Sequence, residues 1–151
     1  MSETFNMIPA KSSSVFFIGI IGLILICLLV LFYYINHSSK NTKFIVSPEG
    51  LRITGTLYGR TIPKDQLLIQ MIKSLNLKTD DQFRPKWRTN GIGLPQYQAG
   101  WFKLNNGEKA LLFLTDKNNV VYIPTKLKYS ILISVPDTSI FIDSLKKIVI
   151  Y

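Results

Sequence analysis

VFFIGIIGLILICLLVLFYYI, from Val15 to Ile35, holds no charge, no proline and no amide side chain. At a rise of about 1.5 Å per residue the run makes a helix about 30 Å long, the thickness of a bilayer's hydrocarbon core. It is read as one transmembrane helix. Tyr33 and Tyr34 stand at its C-terminal edge, where amphipathic rings favour the headgroup region. Gly19 and Gly22 are tolerated because in lipid the backbone bonds only to itself. A cleaved signal peptide would have an apolar core of about 7 to 15 residues and a small-residue site after it. This run is longer and leads into Asn36-His37-Ser38-Ser39, so a retained anchor is expected. Lys11 precedes it, whereas Lys40, Lys43 and, further on, Arg52 follow it, which by the positive-inside rule places the C-terminal part in the cytoplasm.

Outward from the anchor, residues 1–14 are short and polar, with Pro9 and the run Ser12-Ser13-Ser14, and are expected to be disordered. Residues 36–43, NHSSKNTK, read as a linker that reaches at most roughly 26 Å. The domain beyond it, residues 44–151, therefore stays at the membrane surface, where weak contacts suffice because the effective concentration is high. His37 is read as a solvated linker residue. The chain has 18 Lys and Arg against 9 Asp and Glu, a net charge of +9. Only Lys11 and Glu3 precede the anchor, so the whole excess belongs to the remainder. That balance suits acidic lipid headgroups, nucleic acid or an acidic protein, although lysines that merely keep a small domain soluble look the same. The one cysteine, Cys27, lies in the span, leaving neither a disulfide framework nor a thiolate metal site.

From Phe44 the chain turns into short β-like runs between turn signals. Phe44-Ile45-Val46, the turn Ser47-Pro48-Glu49-Gly50 and the alternating Leu51-Arg52-Ile53-Thr54 make a first hairpin. A third strand is placed around Leu57 to Ile62, a single helical turn at Pro63-Lys64-Asp65-Gln66, a fourth strand from Leu68 to Leu75 and a loop from Lys78 to Arg84. In Arg84 to Pro95, three cations surround Trp87, and Gly91, Gly93 and Pro95 are expected to prevent a regular strand or helix. Tyr97 to Leu104 follows as a strand, with Gly100 marking a bulge or a close backbone approach. Asn105-Asn106-Gly107 signals a hairpin to the strand Lys109 to Thr115, because both residue types accept the backbone of a tight turn. After a turn at Asp116 to Asn119 and a strand at Val120 to Ile123, Lys128 to Val135 alternates, with one side facing the core. Past Pro136, Asp137 or its neighbour caps a helix whose stripe is Ile140, Phe141, Leu145, Ile148 and Val149. About seven strands and one amphipathic helix result, the helix covering the open end of a curved sheet.

That order, together with Gly50-Leu51-Arg52-Ile53-Thr54-Gly55, Tyr58-Gly59, Ile62-Pro63, Arg88-Thr89-Asn90-Gly91 and Gly100-Trp101-Phe102-Lys103-Leu104-Asn105-Asn106-Gly107, resembles the bacterial pleckstrin-homology (PH) domain proteins that follow N-terminal membrane helices. The resemblance spans roughly Phe44 to Val149. It implies a membrane-anchored, mainly β protein: two near-orthogonal antiparallel sheets as a partly open barrel or sandwich, with a C-terminal capping helix. It implies little about activity, since PH-like folds serve lipid, peptide and protein binding alike. One span is found where relatives often carry two, and the basic residues of inositol-phosphate-binding eukaryotic members are not placed, so phosphoinositide binding is unsupported.

No catalytic set assembles from the residues. The carboxylates Glu49, Asp65, Asp80, Asp81, Glu108, Asp116, Asp137 and Asp143 fall mostly in turns and helix ends, and Asp80-Asp81 is the one adjacent pair. The single cysteine and single histidine lie in the anchor and the linker, so neither nucleophilic catalysis nor a zinc site has its parts. Gly91-Ile92-Gly93 starts like a dinucleotide fingerprint, yet Gln96 holds the third glycine position. No enzyme, metal or cofactor is expected. The expected function is a binding or scaffolding module for another membrane protein or for anionic lipid. Lipid recognition would use Arg84, Lys86, Trp87 and Arg88, where cations and an interfacial tryptophan meet; the competing reading buries Trp87 in the core. A membrane-associated hydrolase or transferase using Asp80 or Asp81 is the alternative from another class. Nucleic-acid binding lacks a recognised module.

Overall fold

The computed structural model describes residues 14–148 together with Glu3 and Asn6. The disorder expected for the N-terminal stretch, and Val149 of the expected helical stripe, lie outside the described residues. The chain divides into two compact units, 1–37 and 38–151.

The first unit is helical. Helix α1 (Ser14–Asn41) contains Val15–Ser38, long and apolar enough to cross a membrane, and its most apolar stretch has a mean hydropathy of 3.3 and is unburied. Within it the rings of Tyr33 and His37, one turn apart, stack at 5.9 Å. The residues read as a linker are thus helical as far as Asn41. The Asn36 side chain donates to the Phe32 carbonyl at 3.1 Å and the Thr42 hydroxyl to the Ser38 carbonyl at 2.8 Å, bonds that keep the turns wound.

The second unit begins within the last turn of that helix. Ser38 is buried, and the Tyr97 hydroxyl donates to its Oγ at 2.8 Å. Two sheets follow. The smaller has the order β1 (Lys43–Ser47), β2 (Gly50–Thr54), β3 (Arg60–Pro63), all antiparallel. The larger runs β4 (Lys73–Leu75), β8 (Val120–Pro124), β9 (Ser130–Ser134), β7 (Lys109–Leu114), β6 (Tyr97–Leu104), β5 (Pro85–Leu94). Helix α2 (Thr138–Lys147) closes the described chain. The architecture is the expected one, two sheets and a terminal helix, but the barrel is not closed. The described residues hold nine strands, and one pair is parallel. Strand β9 inserts between β8 and β7, so β7 and β9 run the same way, Leu112 opposite Leu132.

Insertion at the centre buries β9 on both faces, where the alternation had predicted one. Ser130 and Leu132 are as inaccessible as Ile131 and Ile133. On one face Phe113 meets Phe44 of the small sheet at 6.0 Å, and Phe44 meets Phe141 of α2 at 6.4 Å. On the other, Phe102, Leu112, Leu132 and Tyr122 form a cluster with Leu77 and Phe83, which arrive from the 76–84 loop. Phe83 packs on the Tyr122 ring at 4.8 Å. Helix α2 is capped as expected, Asp137 Oδ1 accepting from the Ile140 amide at 3.0 Å. Its buried positions are Ile142, Leu145 and Ile148, while Ile140 is 66% exposed. The apolar face is therefore rotated from the expected one, because Ile142 and Leu145, three apart, point together into the core.

The helical turn at Lys64–Gln66 forms as a 3-10 turn, but the strand expected over Leu68 to Leu75 survives only as β4 after a second turn at Ile69–Met71. The larger correction concerns Arg84 to Pro95. It forms β5, ten residues long, where its glycines and proline had argued against a strand. Register shifts between Pro85 and Trp87 and between Arg88 and Asn90 absorb the irregularity, leaving Lys86 and Thr89 as the extra residues of two bulges. Gly91 lies opposite Gly100, with φ of 146° and 116°. A Cβ on Gly91 would stand 2.3 Å from the Ala99 carbonyl oxygen, so the backbones meet more closely than side chains permit.

Candidate functional site

Of the four residues singled out by sequence, Lys86, Trp87 and Arg88 sit at the start of β5, an edge strand of the larger sheet, and Arg84 just before it, and the structure separates their roles. Arg84 acts inward on its own loop. Its Nε donates to the Leu77 carbonyl at 2.5 Å, its Nη2 donates to the Lys78 carbonyl, and its Nη1 pairs with Asp81 Oδ1 at 2.8 Å. Every guanidinium nitrogen is engaged in fastening the 77–84 loop, which carries Leu77 and Phe83 into the core.

Lys86, Trp87 and Arg88 face outward and are exposed. Trp87 is 51% exposed, so the core-packing alternative is set aside. The bulge at Lys86 brings Trp87 opposite Lys103 of β6. Lys86 Nζ lies 5.2 Å and Lys103 Nζ 5.6 Å from the tryptophan ring, one cation from its own strand and one from the neighbour. The pattern continues along the same face of the sheet. Lys109, paired with Lys103, places Nζ 4.4 Å from the Trp101 ring, and the Arg60 guanidinium lies 4.7 Å from it. Lys103, Lys109 and Arg60 escaped the sequence reading because they are scattered along the chain. The signal available was the shared spacing that places Trp87, Lys103 and Lys109 in one row across three strands.

The ordinary alternation of the strand puts Arg88, the next residue, on the opposite face, across from Phe102. Arg88, Gly93, Gln98 and Phe102, together with Pro85, Lys86 and Trp87, line an open hollow of about 430 Å³. Gln98 was also missed, though a polar residue between Tyr97 and Ala99 in an otherwise apolar strand was a legible sign.

The carboxylates serve structure. Asp80 Oδ2 accepts the Asn76 amide at 2.8 Å and Asp81 pairs with Arg84, so both members of the adjacent pair stabilise the loop. Asp116 has its pKa lowered by the Asn118 amide and the Asn119 side chain, which hold its turn. Tyr122 donates to Glu108 Oε1 at 3.0 Å and Oε2 at 3.1 Å. Burial, and then the Glu108 charge, push the phenol up to about 12. Among the described residues no three of His, Cys, Asp or Glu come together as a metal site would require.

Residues 42–149 match the family described as bacterial PH domain. No curated protein and no solved structure matches the chain.

Proposed function

The chain belongs to the bacterial PH domain family, and from that premise we propose a single-pass, non-catalytic membrane protein whose domain binds an anionic bilayer surface through Lys86, Trp87 and Lys103. The observation that carries this reading is the exposed Trp87 ring between two lysines of neighbouring strands. An indole favours the interface, and each cation near an anionic leaflet contributes about 1 kcal/mol. Lys86 and Lys103 together therefore contribute about 2 kcal/mol. That is slight for a free protein and sufficient for one already held by α1, since tethering makes the second contact intramolecular. The charge of Lys40, Lys43 and Arg52 after the span supports a domain on the cytoplasmic side. A second reading, docking of another membrane protein, is favoured by the free edge of β5.

The test uses the full chain with Trp101→Phe, which leaves Trp87 as the one tryptophan. It is reconstituted in nanodiscs of phosphatidylcholine, with and without added phosphatidylglycerol. Trp87 emission is expected to shift to the blue, and to be quenched by brominated acyl chains, in the anionic discs alone, with the effect reversed by salt. Identical emission and quenching in both discs would overturn the lipid reading and leave the strand edge as the better-supported contact.

A further inference from the structure

The loop between β2 and β3 bears the barest large apolar side chain among the described residues. Leu57 is 76% exposed, more than any large apolar side chain of α1. The loop is nevertheless well fastened. The Gly59 amide donates to the Thr56 carbonyl at 3.1 Å, closing a turn with Leu57 and Tyr58 at its central positions. The Tyr58 ring lies back on the large sheet, where a Cβ on Gly100 would meet its Cζ at 3.1 Å, and its hydroxyl donates to Asn90 Oδ1 of β5 at 3.1 Å. With Tyr58 held down, the same turn holds Leu57 out. Exposed turns ordinarily carry glycine, proline, asparagine, aspartate or serine, so a leucine at the apex calls for an apolar surrounding.

The place of the loop says what that surrounding is. At Gly55, φ 77°, there is no room for a Cβ against the Asn41 carbonyl, so the loop starts directly beside the last turn of α1. Val15 to Ile35 fill a hydrocarbon core about 30 Å thick, and the headgroup layer adds about 5–7 Å on each side. Asn41 lies about 9 Å beyond Ile35 along the helix axis, at the outer boundary of that layer. Leu57 is next but one to Gly55 and so within about 7 Å of it. The most exposed leucine of the domain is thus tied beside the point where the chain leaves the lipid. Single exposed apolar residues are common; one fixed at that point has a partner within reach.

We propose that Leu57 is an apolar wedge that enters the acyl-chain boundary of the bilayer beside the exit of α1. The partner is the lipid surface whatever its headgroup charge, since a leucine gains by leaving water and not by meeting phosphate. The proposal rests on reading α1 as a membrane span, and to the charged contact of β5 it adds one that is independent of charge. The bond from Tyr58 to Asn90 fixes the wedge to the strand that carries Trp87. Seating Leu57 therefore sets which face of the large sheet turns toward the headgroups.

The full chain, carbon-13 labelled at its leucine methyl groups, is reconstituted in nanodiscs of phosphatidylcholine alone. The Leu57 methyl signals are assigned by their loss in Leu57→Val. Lipid bearing a nitroxide near the carbonyl end of its acyl chain is expected to broaden them, and a water-soluble paramagnetic agent to leave them sharp. Leu127, 44% exposed and outside the loop, should show the reverse, with several-fold less broadening by the lipid nitroxide. High salt and added phosphatidylglycerol should change neither result. Leu57 methyls broadened by the aqueous agent and spared by the lipid nitroxide would overturn the wedge, as would equal broadening of Leu57 and Leu127 by that lipid, which is adsorption of the domain as a whole. A chain that does not incorporate into the discs would overturn the span and the wedge together. Trp87 responding only to anionic discs while Leu57 responds in neither would remove the wedge and leave the charged contact, so the two readings fail separately.

Discussion

Gly91 and Gly93, two residues apart on β5, should answer the same substitution with opposite signs. Gly91 has φ 146°, and its Cβ would lie 2.3 Å from the Ala99 carbonyl oxygen and 2.9 Å from Gly100 Cα. Alanine there pays about 1–3 kcal/mol for its backbone conformation. The clashing atoms are main chain and cannot rotate away, so β5 must also draw back from β6, losing one or two ladder bonds at about 1 kcal/mol each. The expected loss is about 3–5 kcal/mol, a large share of the 5–15 kcal/mol by which such domains are stable, and a fall in Tm of more than about 10 °C. At Gly93 the backbone lies outside the left-handed region and the new Cβ makes ordinary contacts at 3.5 and 3.7 Å. Alanine there should be neutral or should stabilise by about 0.4–1 kcal/mol, because it restricts the unfolded chain. Thermal unfolding of the full chain in nanodiscs, read from the near-ultraviolet dichroism of tryptophan, excludes the signal of α1, which holds no tryptophan. Equal Tm values for Gly91→Ala and Gly93→Ala would refute the close approach of β5 and β6.

Arg84→Ala should cost about 1–2 kcal/mol, less than buried charged bonds do because the side chain is 42% exposed, and should speed amide exchange in the 76–84 loop while sparing β6 and β7. Arg84→Lys should not restore protection, since one ammonium cannot span the Leu77 and Lys78 carbonyls and Asp81; unchanged exchange in either variant would contradict the loop-fastening role. Tyr122 should ionise at about 12, visible as the difference in phenolate absorbance between the parent and Tyr122→Phe. Its folded pKa is raised, so its contribution to stability is whole below the ordinary 10.0 and falls away as pH rises from there through about 12. Glu108→Gln should lower that titration only part of the way, because burial, the larger cause, remains.

What could be read in the sequence is what short-range chemistry decides. The Asn105-Asn106-Gly107 hairpin, the Ser47-to-Gly50 turn and the Asp137 cap each depend on residues within a few positions, and each forms where expected. The insertion of β9 beside β7 depends on a partner some twenty positions away, and the alternation within β9 could not reveal that both of its faces would be covered. Strand β5 was misread for a related reason. Its glycines break a strand in isolation, but Gly91 is needed only because Gly100 lies opposite, a fact that belongs to the pair. Among the candidate residues, composition and clustering singled out Lys86, Trp87 and Arg88, which are exposed. Arg84 looked the same in sequence, because the carbonyl oxygens that hold it carry no side-chain signature.

The bulges, the proline and the charges of β5 also have a reading that needs no ligand: an edge strand offers unpaired backbone groups, and such features discourage a second chain from adding to it. Edge protection accounts for Pro85, Lys86 and the two register shifts. It does not account for Trp87, since an exposed indole on an edge invites association. Nor does it account for Lys103, which belongs to the neighbouring strand β6 and places its Nζ 5.6 Å from the Trp87 ring. The excess over edge protection is thus one exposed aromatic ring and a cation brought to it from the next strand. Those are the parts that an anionic bilayer surface would use, so the binding reading rests on the residues that the bland one leaves over.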